Sequence, residues 1–406
     1  MKIENEVGNV QLMQKINRLK VLELIRSEES ISRTGISKLT GLSSSSVTNI
    51  VSHLIERKLV IEMGTIESGE VGRKATNLLF NHSAYGIIAI NIEASRMGIA
   101  LTDLAGNVYF EKEILLDHPR DDNEILNIIK IEVEKLKKNK NNYFAEEIIS
   151  IGIAVSGLVK EEGEVVLSID MKWKEILLRD KIESIFSLPV YVQNSLKTKA
   201  IWAIREYLKV GEKNVIFIDF KTGIGIISIY ENKINEAVSG EFGHTTVNKD
   251  GVLCYCGNRG CLETISSSDY VISACRSRLR NNKCLILKEI IEQEAREIDF
   301  QMVQNAMDKG DKDVADILAE CGEYIGIGIA NIINVFNPNR IIIDENSLLK
   351  SDYVYNIVLR EANKRAFDYF TSNLKYEKID IGYTEILQGI SLFTVNKLFE
   401  LSGSIL

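Results

Sequence analysis

Proline is nearly missing from this sequence, with three residues in 406. That scarcity argues against long disordered linkers and for a chain of packed elements. No apolar run approaches the ~18 residues that a membrane helix needs. Lys2, Glu4, Glu6, Lys15, Arg18 and Lys20 interrupt the first twenty residues, a pattern that excludes a signal peptide. The expectation is a cytoplasmic protein with no membrane partner. Histidine, at four residues, and cysteine, at six, are also scarce. Cytoplasmic thiols stay reduced, so any cysteine cluster points to metal or chemistry rather than to disulfides. What is left, 45% hydrophobic and 26% charged, is ordinary globular composition, sufficient for two or three domains with real cores.

The net charge of −8 is unevenly shared. Residues 1–82 hold 11 Lys+Arg against 9 Asp+Glu, and the remainder holds 38 against 48. So acidic a body does not coat nucleic acid indiscriminately. The N-terminal part differs from it in pattern as well as in charge. Leu12, Ile16, Leu19, Leu22 and Ile25 recur at helical spacing. A short second helix with Ile36 and Leu39 ends at Gly41, and a third starts after Ser43 and buries Val47, Ile50, Val51 and Leu54. Helix, glycine turn, helix is a helix-turn-helix pattern. The third helix presents Ser44, Ser45, Ser46, Thr48 and Asn49, short polar groups that can meet phosphates and base edges. Two strands, "LVIEM" and "ATNLLF", flank a glycine-rich loop ending in Arg73 and Lys74, a wing that can reach the DNA backbone. A winged helix over residues 1–82 results; a protein-docking module of three helices is the alternative.

From residue 83 strands and helices alternate, an α/β pattern. Strand–turn–strand openings near residues 86 and 214 suggest a duplicated unit. The expected division is a first lobe of residues 83–194, completed by a closing helix 388–406, and a second lobe of residues 195–387. A cleft between two such halves is the natural ligand site. "WKEILLRDKIESIF" is expected to be one helix, and "IISIGIAVSGLV" one buried strand. The rare residues concentrate in one place, His244-x9-Cys254-x-Cys256-x4-Cys261. One imidazole and three thiolates make a complete tetrahedral set for a structural Zn²⁺, with no position left for water. Scattered buried cysteines and a redox pair are the competing explanations.

In order along the chain, "IGIAVSGLV", "VQN", "TGIGI", "SGEFGHT", "CYCGNRGCLE" and "ANIINVFNP" carry a resemblance to the ROK family of repressors, open reading frames and kinases. With the N-terminal helices, the chain resembles its repressor branch, which includes xylose repressors. The resemblance implies a two-lobed, actin- and hexokinase-like α/β fold behind the winged helix. It assigns Ser156, Gly157, Asn194, Glu241, His244 and Glu263 to a sugar, and the zinc loop 244–261 to a staple between the two glutamates. The third helix has Ser44 and Asn49 where relatives often carry Lys and Arg, which shifts weight to the wing. Ile169-Asp170 ahead of Trp173 departs from the Pro-Asn of many relatives and leaves the sugar's identity open.

The family's kinases need four further features. This chain has Asn91-Ile92-Glu93-Ala94-Ser95 for the first phosphate loop, Asp-x-Gly-x-Thr in the kinases. It has Ser195 for the catalytic Asp. Lys221-Thr222-Gly223-Ile224-Gly225-Ile226-Ile227 lacks the first and last glycines of the second loop. Asp344-Glu345 replace a glycine pair and are expected to face a nucleotide's place. Phosphoryl transfer rests on positioning and charge neutralisation, so a kinase reading fares poorly. The expectation is a sugar-responsive, DNA-binding repressor with no catalytic residues. It would bind operator DNA as a homodimer, with a tetramer also open. Two alternatives stay open: a sugar kinase with a DNA-binding head, and a repressor controlled by a sugar-transport protein.

Overall fold

The computed structural model describes residues 10–28, 30–66, 75–116, 121–139, 147–209, 211–220, 223–238, 240–344 and 348–400. The chain divides into two compact units, segments 1–198 with 383–406, and segment 199–382. The first unit opens with α1 (Val10–Ser27), β1 (Ile31–Ser32), α2 (Arg33–Thr40), α3 (Ser44–Glu56), β2 (Val60–Ile66) and β3 (Ala75–Phe80). Ser32 caps α2 by accepting from the Gly35 amide, and Gly41 closes it in the left-handed conformation. Ser43 caps α3 by accepting from the Ser46 amide. The strands make an antiparallel sheet in the order β1-β3-β2. Leu19, Leu22, Ile25, Ile36, Val47, Val51 and Leu54 are buried as their spacing predicts. Ile16 and Leu39 are not: they stand 37% and 65% exposed, Ile16 in the less covered N-terminal half of α1 and Leu39 in the last turn of α2.

Next come β4 (Tyr85–Glu93), β5 (Arg96–Thr102), β6 (Val108–Leu115), α4 (Asp122–Asn139), β7 (Glu147–Val155), β8 (Leu158–Val159), β9 (Val165–Ser168), β10 (Trp173–Ile176), α5 (Leu178–Phe186), β11 (Val190–Asn194) and α6 (Ser195–Tyr207). The main sheet runs β11-β7-β4-β5-β6, with β4 antiparallel to β5 and parallel to β7. Two expectations need correction here. The expected strand through Ser156-Gly157 breaks there into β7 and β8. The expected helix from Trp173 starts only at Leu178. Trp173–Ile176 pairs antiparallel with β9 instead, so cross-strand bonding overrides the local helical spacing.

The second unit holds β12 (Val215–Asp219), β13 (Gly225–Tyr230), β14 (Lys233–Ile234), α7 (Glu263–Ser266), α8 (Ser268–Arg280), α9 (Leu285–Glu294), α10 (Phe300–Asp308), α11 (Lys312–Phe336), β15 (Arg340–Asp344), α12 (Asp352–Arg365), α13 (Asp368–Thr371) and β16 (Lys375–Ile379). Its sheet runs β14-β13-β12-β15-β16. In both units a three-strand meander is extended, beside its first strand, by two parallel strands. The shared order supports the duplication suggested by the two strand–turn–strand openings.

The closing helix, α14 (Tyr383–Leu398), begins five residues before the expected Gln388 and returns to the first unit. It lies on the main sheet where glycine leaves room. A Cβ on Gly98 would overlap the Tyr383 ring, and one on Gly152 the Thr394 hydroxyl. Thr102 and Ser391 hydroxyls join at 2.6 Å beneath it. The far end of α14 enters the N-terminal core, where Val395, Leu398 and Phe399 pack with Leu22, Leu54 and Leu78. The Arg26 guanidinium lies 5.6 Å from the Phe80 ring centre and 4.8 Å from that of Phe399. The N-terminal helices are therefore not a tethered head; they share a core with the body's last helix. Among the described residues, no helix is long and apolar enough to cross a membrane.

Candidate functional site

The cysteine loop of the second unit is built by backbone bonds. The Cys254 amide donates to the Asn258 carbonyl at 2.7 Å, and the Gly260 amide to Val252 at 2.9 Å. Bridges Thr246–Cys261 and Leu253–Arg259 close the loop on itself. Gly260 has φ +68°, and a Cβ there would overlap the Asn248 carbonyl, so only glycine fits this crossing. The result brings all four expected ligands together. The Cys254 sulfur lies 3.6 Å from His244 Nδ1, and the Cys256 and Cys261 sulfurs are 3.7 Å apart. All four ligand atoms lie within 4.8 Å of one another. A tetrahedral ion about 2.3 Å from each sulfur sets neighbouring ligand atoms roughly 3.6–3.8 Å apart, so the set fits a metal. Burial, then Cys256 and Cys254, pushes the Cys261 thiol up to about 12. A central divalent cation opposes that shift by favouring the thiolate.

The other face of His244 is polar. Its Nε2 lies 2.9 Å from the Tyr255 hydroxyl, 3.8 Å from Glu241 and 4.0 Å from Glu263. Glu263 opens α7 with its side chain 17% exposed, while Glu241 is 60% exposed. One imidazole thus separates a thiol side from a carboxylate side. Tyr255 escaped the sequence reading. Its signal was its place between Cys254 and Cys256.

In the first unit, Ser156, Gly157 and Asn194 come together at the ends of β7 and β11. The Asn194 amide nitrogen donates to the Gly157 carbonyl, and its Oδ1 accepts from the Leu196 amide at 2.7 Å, capping α6. Ser156 and Ser168 hydroxyls lie 3.3 Å apart. Gly157 has φ +112°, and a Cβ there would overlap the Leu167 carbonyl. Gly157→Ala is expected to cost about 2 kcal/mol or more, read as a lowered midpoint of thermal unfolding.

Ser44, Ser45, Ser46, Thr48 and Asn49 are all exposed on α3. Arg73, Lys74, Lys221, Thr222 and Glu345 lie outside the described residues. Where a kinase would need its first phosphate loop, Asn91 is 1% exposed and donates to Glu93 at 2.9 Å, and Glu93 pairs with Arg96 at 2.8 Å. Asp344, expected to face a nucleotide's place, is fully buried, with the Lys199 ammonium 2.9 Å away. A second acid–thiol cluster, Cys284 with Asp311 and Asp313, uses its carboxylates as caps for the amides of Cys284, Ile286 and Leu287.

The model of the ROK family matches residues 87–393. A protein named xylose repressor from Caldicellulosiruptor bescii is 32% identical over 378 residues, 91% of this chain and 93% of that one. The DNA-binding transcriptional repressor Mlc of Escherichia coli is 28% identical over 406 residues, 97% of this chain and 96% of its own. Among solved structures, a ROK family transcriptional regulator described as a homolog of the E. coli MLC protein superposes with TM-score 0.79 at 26% identity, over 94% of this chain and 96% of that one. A ROK family glucokinase from Streptomyces griseus shares the fold over 75% of this chain and 98% of its own, with TM-score 0.62 and 22% identity.

Proposed function

This chain belongs to the ROK family, and from that membership we propose that it is a sugar-responsive transcriptional repressor without catalytic activity. The observation that carries the reading is that one chain holds both parts, and its repressor relatives match it almost end to end. The N-terminal segment offers a capped, fully exposed polar helix face, and the second unit offers two carboxylates converging on one imidazole.

The first 82 residues act as a winged helix-turn-helix. Helix α3 enters the major groove, where Ser44, Ser45, Ser46, Thr48 and Asn49 read bases and phosphates, while Arg73 and Lys74 of the wing add phosphate contacts. One helix in one groove reads too few base pairs, so a homodimer on a roughly palindromic operator is expected. Asn49→Ala should weaken operator binding roughly tenfold while leaving effector binding unchanged. A gel-shift titration beside a calorimetric one checks both halves of that statement.

The effector is a sugar, and Glu241, Glu263 and His244 are the residues proposed to hold its hydroxyls. Carboxylates accept two vicinal hydroxyls at once, which makes them suited to a sugar ring. Zinc is the ion proposed for His244, Cys254, Cys256 and Cys261; its four closed ligands make it a staple, with no open position for chemistry. Through Nδ1 the staple fixes His244, and Nε2 is left to the effector side. Asn91 and Ser195 in place of acidic kinase residues oppose phosphoryl transfer. The reading is tested by incubating purified chain and nucleoside triphosphate with the sugars it binds: effector binding without phosphorylated product is expected, and turnover would overturn it.

A further inference from the structure

Among the described residues, the two most exposed aromatic side chains flank a single residue. Phe367 is 68% exposed and Tyr369 is 77% exposed, on either side of Asp368 at the start of α13. Every other phenylalanine among the described residues is buried or half-buried, so an open one calls for a reason. Val335, near the end of α11, is 76% exposed and adjoins them, because Asn334 Oδ1 accepts from the Phe367 amide at 2.9 Å. The patch has a firm base. Phe370 packs against the core of the second unit, and its ring centre lies 6.0 Å from that of Phe367 and 5.7 Å from that of Tyr369. Phe336, beside Val335, packs against the same core.

We propose that Val335, Phe367 and Tyr369 form the centre of a two-fold interface between two copies of this chain. The area fits that occupant. At these exposures the three side chains offer on the order of 400 Å² of largely apolar surface. A standard interface takes about 800 Å² from each partner, and a homodimer interface is about 65% apolar, so roughly 500 Å² of apolar surface is needed. The patch supplies most of it. The charges fit as well. Arg360, Lys364 and Arg365 of α12 converge on the one carboxylate of Glu361, which leaves a surplus of cations, while Asp368 stands exposed between the two aromatics. Two-fold symmetry sets the patch against its own copy, so acid and base can pair across the interface in both directions. Phe367, Tyr369 and Val335 all belong to the second unit, so the contact does not call on the N-terminal helices. The inference rests on the homodimer reading only for the number of copies, and on neither the sugar nor the operator.

The test is the association state of the full-length protein, followed by sedimentation velocity over a range of concentrations. The wild type should sediment as a dimer at micromolar concentration. Phe367→Glu and Tyr369→Glu each set two like charges into the centre of the contact, one from each copy, and should weaken association about 100-fold or more. A wild type that is monomeric at micromolar concentration overturns the proposal, and the face then belongs to a partner of another kind. Charge variants that associate as the wild type does overturn it too. Should the variants not fold, the wild type still decides. Photo-oxidative tyrosine crosslinking, read by mass spectrometry, should join Tyr369 of one copy to a tyrosine of the other. Crosslinked dimers that never include Tyr369 overturn the proposal. A dimer undone by these substitutions, in a chain that binds no operator, supports the interface and counts against the repressor reading.

Discussion

Stripping the metal should abolish effector binding while sparing operator binding. The loop it would staple is held otherwise mainly by its own backbone bonds. Val252, Leu253 and Tyr255 are 59%, 62% and 61% exposed, so beyond Val247 and the cysteines the loop buries little apolar surface. His244 is fixed on one side by Cys254, and its opposite nitrogen faces Tyr255, Glu241 and Glu263. Loss of an ion held there would free the imidazole, let three thiols relax apart and take from the carboxylates the group they converge on. Cys261→Ser, at a fully buried ligand, should reduce bound zinc from one per chain to none. It should weaken sugar binding about 100-fold or more, at the upper end for loss of a group that orients a site. Helix α3 packs through Val47, Val51 and Leu54 into a core shared with α14 that holds no residue of the cysteine loop, and it should read its operator as before. Metal analysis, calorimetry with the sugar and an operator titration on one preparation check all three statements. A zinc-free variant that binds sugar as the wild type does would contradict them.

Glu263→Gln is expected to yield a repressor that no longer lets go. Its carboxylate is largely enclosed and close to His244 Nε2, so a hydroxyl held there is bonded to charge in a sheltered place. Such bonds are worth about 1.5–3 kcal/mol, and their loss weakens sugar binding roughly 10- to 150-fold. Glu241 is far more exposed, and Glu241→Gln should cost less than about tenfold. Operator affinity without sugar should stay the same in both variants. The competing role for Glu263, a charge at the N-terminus of α7, predicts a small loss of stability and no change in sugar affinity. Sugar titrations of the two variants therefore separate the roles, and equal losses at both positions would go against the account.

Local chemistry made much of this legible in advance. Ser43 and Gly41 bound their helices because capping uses a side chain and a backbone conformation that few residues supply. The cluster that could hold a metal was readable because three of its four residues fall within eight positions. Trp173–Ile176 was misread because its strand pairing depends on Val165–Ser168, while helical spacing continues through Leu178, Ile182 and Phe186. The exposure of Ile16 and Leu39 depends on which neighbours reach them, and periodicity carries no such information. Lys199 was illegible for the plainest reason. Its partners lie 20 and 145 residues away, and only the sheet brings Asp219 and Asp344 side by side.

The central claim, that a sugar controls operator binding, is tested most directly by titrating purified, zinc-loaded protein on its operator DNA against a panel of free monosaccharides, with no other protein present. One sugar should lower operator affinity about 100-fold, a difference of roughly 2.7 kcal/mol between its binding to the released and the DNA-bound states. If no free sugar in the panel shifts operator affinity, the claim is contradicted, and control passes to a phosphorylated sugar or to a protein partner.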